Sequence, residues 1–341
     1  MNNEVALYKR KLAVLWMGLI FLLLLGGVLP SLASNHSIDW VTSLSIFKSM
    51  FISILLEALP FLLLGIVVSS VMQVFIPESW IRKIIPKHPV LGVLVASMMG
   101  MVFPVCECGL IPVVRRLMKK GMPLYAGVTF ILAGPIINPV VISATLTAFR
   151  GRSDMLYGRM GLALIVSCVI GLLVYLLVKK DPRKPSIDHE SFVHGQDHVH
   201  TQSRKKNVGH QILRHSSDEF FDMGKYLILG VCITSLIQTF IPRAELVAIG
   251  QGEYSSHFFM LAFAYLLSLC STSDAFVASS FMTTFSASSL LTFLVFGPMI
   301  DFKGTLMLLS VFRAKFVLLL IIAVAAVVVG GALLIGAFGL I

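Results

Sequence analysis

Apolar residues run through this chain in blocks long enough to cross a bilayer, and polar residues gather in short clusters between them. Runs of about 20 apolar residues match roughly 30 Å of bilayer hydrocarbon. The pattern predicts spans over residues 12–33, 45–76, 123–149, 155–178, 220–241, 290–312 and 316–341. Two further runs, 89–112 and 257–285, are interrupted. The first contains Phe103-Pro-Val-Cys-Glu-Cys-Gly-Leu-Ile-Pro112, two thiols and a carboxylate where a straight membrane helix has no use for them. Proline removes a backbone donor and glycine loosens a helix. Broken backbone survives in a membrane only inside protein or beside a water-filled cavity. The stretch therefore reads as the tip of a re-entrant hairpin lining a transport site, broken at Pro104, Gly109 and Pro112.

The basic residues then orient the chain. If 89–112 crossed fully, Arg115, Arg116, Lys119 and Lys120 would lie outside, against the excess of Lys and Arg on cytoplasmic loops. If the run enters and returns, that cluster joins Arg82, Lys83 and Lys87 inside, and Lys179, Lys180, Arg183 and Lys184 follow. Only Arg150 and Arg152 are left outside. The N-terminus and the hydrophilic segment 179–217 are then cytoplasmic, in a multi-pass protein of the plasma membrane.

A duplication supports this topology. Phe61-Leu-Leu-Leu-Gly-Ile-Val-Val-Ser-Ser-Val-Met-Gln-Val-Phe-Ile-Pro77 matches Tyr226-Leu-Ile-Leu-Gly-Val-Cys-Ile-Thr-Ser-Leu-Ile-Gln-Thr-Phe-Ile-Pro242, an offset of 165 from Gly65 to Gly230. Cys106 aligns with Cys270 at 164, and Phe130-Ile-Leu-Ala-Gly-Pro135 with Phe293-Leu-Val-Phe-Gly-Pro298 at 163. Three spans and one hairpin per copy give an odd number of crossings, so the second copy is inverted. Its tip, near Leu269–Asp274, enters from outside, and the C-terminus lies outside. The expected fold is an all-α polytopic membrane protein. Residues 1–43 supply an extra N-terminal helix and outer loop, 44–178 the first repeat, 179–217 a His-rich linker and 218–341 the second repeat. Inverted repeats with broken helices at the midplane are typical of secondary transporters.

Composition narrows the class. Of 341 residues, 57% are hydrophobic and 13% charged, against about 25% charged in soluble domains. The net charge of +10 sits in loop clusters, which suits anionic membrane lipids rather than nucleic acid. Lys9, Arg10 and Lys11 precede an apolar run without a small-residue cleavage site, so the first span reads as retained. All five cysteines fall in apolar segments, which argues against a disulfide framework. No phosphate-cradling glycine loop is present, so ATP use by this chain, and any cofactor, is not expected.

Candidate chemistry follows from polar groups at depth. A carboxylate in a span costs about 2.5–3.5 kcal/mol and asks for a partner, a proton or a cavity. The repeat pairs Glu57 with Asp222 and Asn138 with Asp301. Glu57 and Asp222 serve either in coupling or as structural acids. Asn138 and Asp301 follow the breaks Gly134-Pro135, before Pro139, and Gly297-Pro298, and are candidate substrate groups. Cys106 and Cys108 either converge on a thiophilic species or pack as small hydrophobes. In the second hairpin Cys270 is followed by Ser271, Thr272, Ser273 and Asp274, the last a proton or cation carrier or a helix cap. Lys303 is either a counter-ion or a snorkelling residue. Proton coupling through Asp301 or Asp274 is the simplest energy source. Cys168 and Cys232 read as core. Histidines 189, 194, 198, 200, 210 and 215 either bind metal or belong to a solvated tether.

Cys-Glu-Cys-Gly-x-x-Pro112, Leu117-x-x-x-Gly121-Met-Pro123 and Gly134-Pro-x-x-Asn-Pro139 together resemble the predicted permease family that includes the ArsP-like organoarsenical exporters. The resemblance covers residues 45–335. It implies a permease rather than an enzyme. In the arsenical branch it implicates a cysteine pair, here Cys106 and Cys108, and it allows a second membrane subunit or a homo-oligomer. The expected function is alternating-access transport of a thiophilic metalloid species or a small anion. Site residues are Cys106, Glu107, Cys108, Asn138, Cys270, Asp274 and Asp301. A lipid-headgroup transporter, an intramembrane lipid-modifying enzyme and a subunit of a heteromeric complex are the alternatives.

Overall fold

The computed structural model describes residues 40–75, 86, 88–102, 106–178, 182, 208–240 and 255–339. The expected first span, the basic loop after Pro77, Pro104 and most of the His-rich linker lie outside the described residues. Residues 1–48 and 49–341 form separate units. Of the first, only the opening turns of α1 are described. No strand occurs among the described residues.

The helices are α1 (Trp40–Phe75), α2 (Pro89–Val102), α3 (Glu107–Lys119), α4 (Leu124–Ala133), α5 (Pro139–Ala148) and α6 (Ser153–Leu177). They are followed by α7 (Val208–Phe240), α8 (Ser255–Leu267), α9 (Ser273–Ser280), α10 (Ala287–Met299), α11 (Phe302–Val311) and α12 (Ala314–Ala337). Among the described residues, five stretches are long and apolar enough to span a membrane: Ser43–Met72, Ser153–Leu177, Glu219–Thr239, Ala287–Val311 and Ala314–Ala337. In the interrupted stretch Ala287–Val311, 83% of its apolar 18-residue window is buried, against 22% in the uninterrupted Ala314–Ala337. That ordering follows from the backbone, because a helix with a break must be sheltered by protein and an intact one can face lipid. Leu56, Leu63 and Val67 on α1 and Leu318, Leu319 and Ile322 on α12 are exposed, as an acyl-chain environment allows.

The residues in contact give the helix directions. Position 92 on α2 faces Tyr125 and position 100 faces Gly134, so α2 runs parallel to α4. Met118 of α3 meets position 127 and Leu110 meets position 134, so α3 runs antiparallel to α4. Helix α1 runs parallel to α3, since Gly65 abuts Gly109 and Lys120 Nζ donates to the Met72 carbonyl at 2.9 Å. In the second half, α8 packs on α10 and α10 on α12, as α2 packs on α4 and α4 on α6. Contacts also cross between halves: α3 packs on α11, and α9 on α5.

Three expected breaks are shifted. Gly109 and Pro112 lie inside α3, and the interruption falls upstream of Glu107. A proline in the second turn costs one backbone bond without stopping the helix. Helix α10 runs through Gly297 and Pro298 to Met299, so its break falls at Ile300–Asp301. Gly134 and Pro135 do lie in the turn between α4 and α5, and Pro139 opens α5. Helix α7 starts at Val208, inside the segment expected as linker.

Gly65 and Gly100 let helices touch backbone to backbone. A Cβ at Gly65 would lie 2.5 Å from Gly109 Cα, and one at Gly100 2.7 Å from Gly134 Cα. Gly65→Ala is expected to destabilise the protein by about 1–3 kcal/mol through overpacking. Gly161→Ala, with nothing within 4 Å, should be neutral or stabilising, because alanine favours a helix by about 1 kcal/mol over glycine. Thermal unfolding in detergent measures both, and equal melting points would contradict the α1–α3 crossing.

Candidate functional site

The site begins where α10 stops. Asp301 is the N-cap of α11, with Oδ1 accepting the Gly304 N–H at 2.6 Å. The first N–H groups of a helix have no intrahelical partner, and a carboxylate there satisfies one. Oδ2 of the same residue lies 3.0 Å from Lys303 Nζ. That ammonium also lies 3.2 Å from Glu107 Oε1 and donates to the Ser268 carbonyl. Lys303, Glu107 and Asp301 are 4%, 4% and 1% exposed. One buried cation thus joins the start of α3, the break before α9 and the start of α11. Glu107 Oε2 has no hydrogen-bond partner.

A second buried cation lies on α6. Arg159 is 0% exposed. Its Nη2 lies 2.9 and 3.1 Å from the two Asp274 oxygens and donates to the Ser271 carbonyl at 2.9 Å, while Nη1 donates to Thr145 Oγ1 at 2.9 Å. It fixes the start of α9 against α5 and α6. Sequence reasoning passed over Arg159. The signal was available, since an arginine inside an apolar span demands a partner.

Beside Lys303 lies a small cleft lined by Cys106, Glu107, Cys108 and Cys270, by Glu57 and Phe61 of α1, and by Ile54 and Ala58. Cys106 precedes α3 as its N-cap residue, and Cys108 is buried. Cys270 Sγ lies 3.0 Å from Thr272 Oγ1 and 3.3 Å from Ser273 Oγ. Ser273 donates to Glu57 Oε1 at 3.2 Å. Among the described residues no three His, Cys, Asp or Glu side chains stand close enough to hold a metal ion.

Four of the expected site residues, Cys106, Glu107, Cys108 and Cys270, therefore share one cleft, and Glu57 joins them. Asp301 reaches it through Lys303, which acts as a counter-ion. Asn138 and Asp274 do not line it. Asn138 caps α5 by accepting the Val141 N–H at 2.9 Å, the same task that Asp301 performs for α11. Asp222, aligned with Glu57, lies elsewhere, 3.1 Å from Arg115 Nη1 and 2.7 Å from Lys225 Nζ. Cys232 is exposed and Cys168 half-buried, so neither is a core residue.

A family model described as "Predicted permease" matches residues 43–337. The chain belongs to this predicted permease family. UPF0718 protein YcgR of Bacillus subtilis (strain 168) is 46% identical over 292 residues, covering 84% of this chain and 96% of that protein. A Streptococcus mutans protein named as a subunit of a two-component membrane permease complex is 35% identical over 79% of this chain and 88% of its own length. UPF0718 protein YraQ of Escherichia coli (strain K12) is 23% identical over 44% of this chain and 40% of its own length. No solved structure matches the chain. As a member of a permease family with several apolar helices, the protein is a multi-pass membrane protein, and its family is not one of enzymes.

The permease's two buried cations make a direct prediction. Arg159→Met leaves Asp274 buried and unpaired, which is expected to cost about 3–5 kcal/mol. Replacing both, Arg159→Met with Asp274→Leu, should recover most of that loss, because an apolar pair leaves no orphaned charge. Chemical unfolding in detergent compares them, and a double variant as unstable as the single one would contradict the pairing.

Proposed function

We propose that the chain is a secondary permease working by alternating access between two inverted halves, 44–178 and 218–341, each with a re-entrant hairpin: α2 with α3, and α8 with α9. The observation that carries this reading is the cleft in which the start of α3 meets the break before α9 and Lys303 of α11, deep among apolar helices. The opposite senses of α2 and α3 along α4 support a reversal between them. The one-for-one order of α1–α6 and α7–α12 supports the duplication. On the positive-inside pattern, the N-terminus and the linker 179–217 are cytoplasmic and the C-terminus is outside, in the plasma membrane.

The lining favours a soft substrate, neutral or cationic, over a small anion. Cys106, Cys108 and Cys270 supply thiols, and two carboxylates, Glu57 and Glu107, face the cleft against a single ammonium. An anion entering there would have to compete with Glu107 and Asp301 for Lys303. A phosphate-bearing lipid headgroup would need a cationic clamp, and Lys303 is already held by Glu107 and Asp301. Arg159 is likewise committed to Asp274. The three thiols suit a thiophilic molecule. The Streptococcus mutans relative, named as one subunit of two, supports a second membrane subunit as partner.

Thermal stabilisation of the purified full chain tests the substrate class. A ligand that binds only the folded state stabilises it by mass action, by about 2.7 kcal/mol at a hundred times its Kd. Phenylarsine oxide, as thiophilic probe, is expected to raise the melting point of the wild type and leave Cys106→Ser/Cys108→Ser unmoved. Inorganic phosphate should move neither. A phosphate shift that survives the cysteine changes would make the thiols packing residues and return the anion reading.

A further inference from the structure

The C-terminal half of α3 carries a contact that the cleft does not use. Arg116 Nε lies 3.2 Å from Glu219 Oε2 of α7, with side chains 13% and 3% exposed. Ser69 of α1 donates to the same carboxylate oxygen at 3.3 Å, and Ser70 accepts from Ser216 of α7 at 2.8 Å. Arg115 Nη1 lies 3.1 Å from Asp222 Oδ2. Two ion pairs and a seryl network thus clamp α1, α3 and α7 together at the end of α3 that carries Lys119 and Lys120.

The duplication gives this clamp a counterpart to be compared with. At an offset of 165, Glu219 and Asp222 correspond to Ile54 and Glu57, and at 164 Arg115 and Arg116 correspond to Ser279 and Ser280. The hydroxyls of Ser279 and Ser280 turn back to the Phe276 and Val277 carbonyls of their own helix. Ile54, Glu57, Ala58 and Phe61 line the cleft, and their equivalents are Glu219, Asp222, Met223 and Tyr226. The cleft therefore stands in one half where the clamp stands in the other. The clamp is also not fully satisfied: Glu219 Oε1 and Arg115 Nε are buried without partners.

We propose that Arg116–Glu219, with Arg115–Asp222, is the inner gate of the permease, and that the structure holds it shut. This rests on the alternating-access reading above. Opening inward separates α3 from α7 and breaks both pairs. The corresponding contact between α9 and α1 is made without an ion pair: Ser279, Ser280 and Ile54 carry no charge, and Glu57 accepts from Ser273 at 3.2 Å. The two directions of opening are thus unequal, and charge at four side chains of the inner end sets the balance. A ligand or substitution shifts such an equilibrium only by what it contributes differently to the two states, and these pairs exist in one state alone.

The test uses the full chain in vesicles of uniform orientation, with Cys168 and Cys232 changed to serine and a membrane-impermeant methanethiosulfonate as probe. In the otherwise wild-type chain the cleft thiols should react from the outer side and resist reagent on the inner side. In Arg116→Gln and in Glu219→Gln the inner-side rate is expected to rise about tenfold, the change that corresponds to about 1.4 kcal/mol, while the outer-side rate falls. Arg116→Lys, which keeps the charge, should stay near wild type, and Arg116→Glu with Glu219→Arg should restore it. A purely structural pair would loosen the fold and raise both rates together, which would overturn the gate. An inner-side rate unmoved in both single variants, with outer labelling intact, would overturn the gate and leave the permease reading standing. Thiols reactive from neither side in the wild type would overturn both.

Discussion

Everything in this fold depends on keeping charge and broken backbone away from lipid. Lys303 does most of that at the centre. It belongs to the second half, yet its ammonium lies against Glu107 of the first, and it also takes up the Ser268 carbonyl left free where α8 ends. Arg159 makes the reciprocal connection, from α6 of the first half to Asp274 and the Ser271 carbonyl at the start of α9. Each half thus supplies a cation to a helix start or break of the other. Removing one partner of such a pair costs about 3–5 kcal/mol, so neither half could present these helix starts alone.

These two cations also define what is left over for function. Asp274 and Asp301, the carboxylates that the sequence favoured for proton coupling, are both held: Asp274 by Arg159, and Asp301 by Lys303 and the Gly304 N–H. Around the cleft, Glu107 Oε2 has no hydrogen-bond partner among the described residues, and three thiols line it. Soft sulfur beside carboxyl groups, with the nearby ammonium already paired, suits a soft guest better than a small anion. It lies between elements of both halves, where relative movement of the halves would expose it in turn.

Much of this was legible beforehand, for identifiable reasons. Prolines and glycines in apolar runs mark interruptions, so the breaks before α3, α5 and α9 could be read, as could the nearness of Cys106, Glu107, Cys108 and Cys270 to one another. The exact positions were less accessible. Pro112 and Pro298 interrupt only one backbone bond each, and surrounding protein lets α3 and α10 run past them. Asn138 and Asp301 both cap helices, and the sequence could not tell a cap from a substrate ligand, because the two share the same residue types after the same break. Arg159 was overlooked because attention went to acids and thiols. Its partner lies 115 residues away, a distance that no local pattern bridges. Glu57 and Asp222 align in sequence, yet one faces Ser273 in the cleft and the other Arg115. Repeat equivalence fixes a position in the fold and leaves its chemistry to the neighbours.

The most direct test of an inverted two-half permease is the side of the membrane on which two corresponding loops lie. With the five native cysteines changed to serine, Lys119→Cys and Thr284→Cys can each be labelled by an impermeant maleimide in intact cells and in inside-out vesicles. Inversion predicts Lys119→Cys labelled only in inside-out vesicles and Thr284→Cys only in intact cells. Labelling of both from the same side would contradict the inverted arrangement, and with it alternating access around a cleft shared by the two halves.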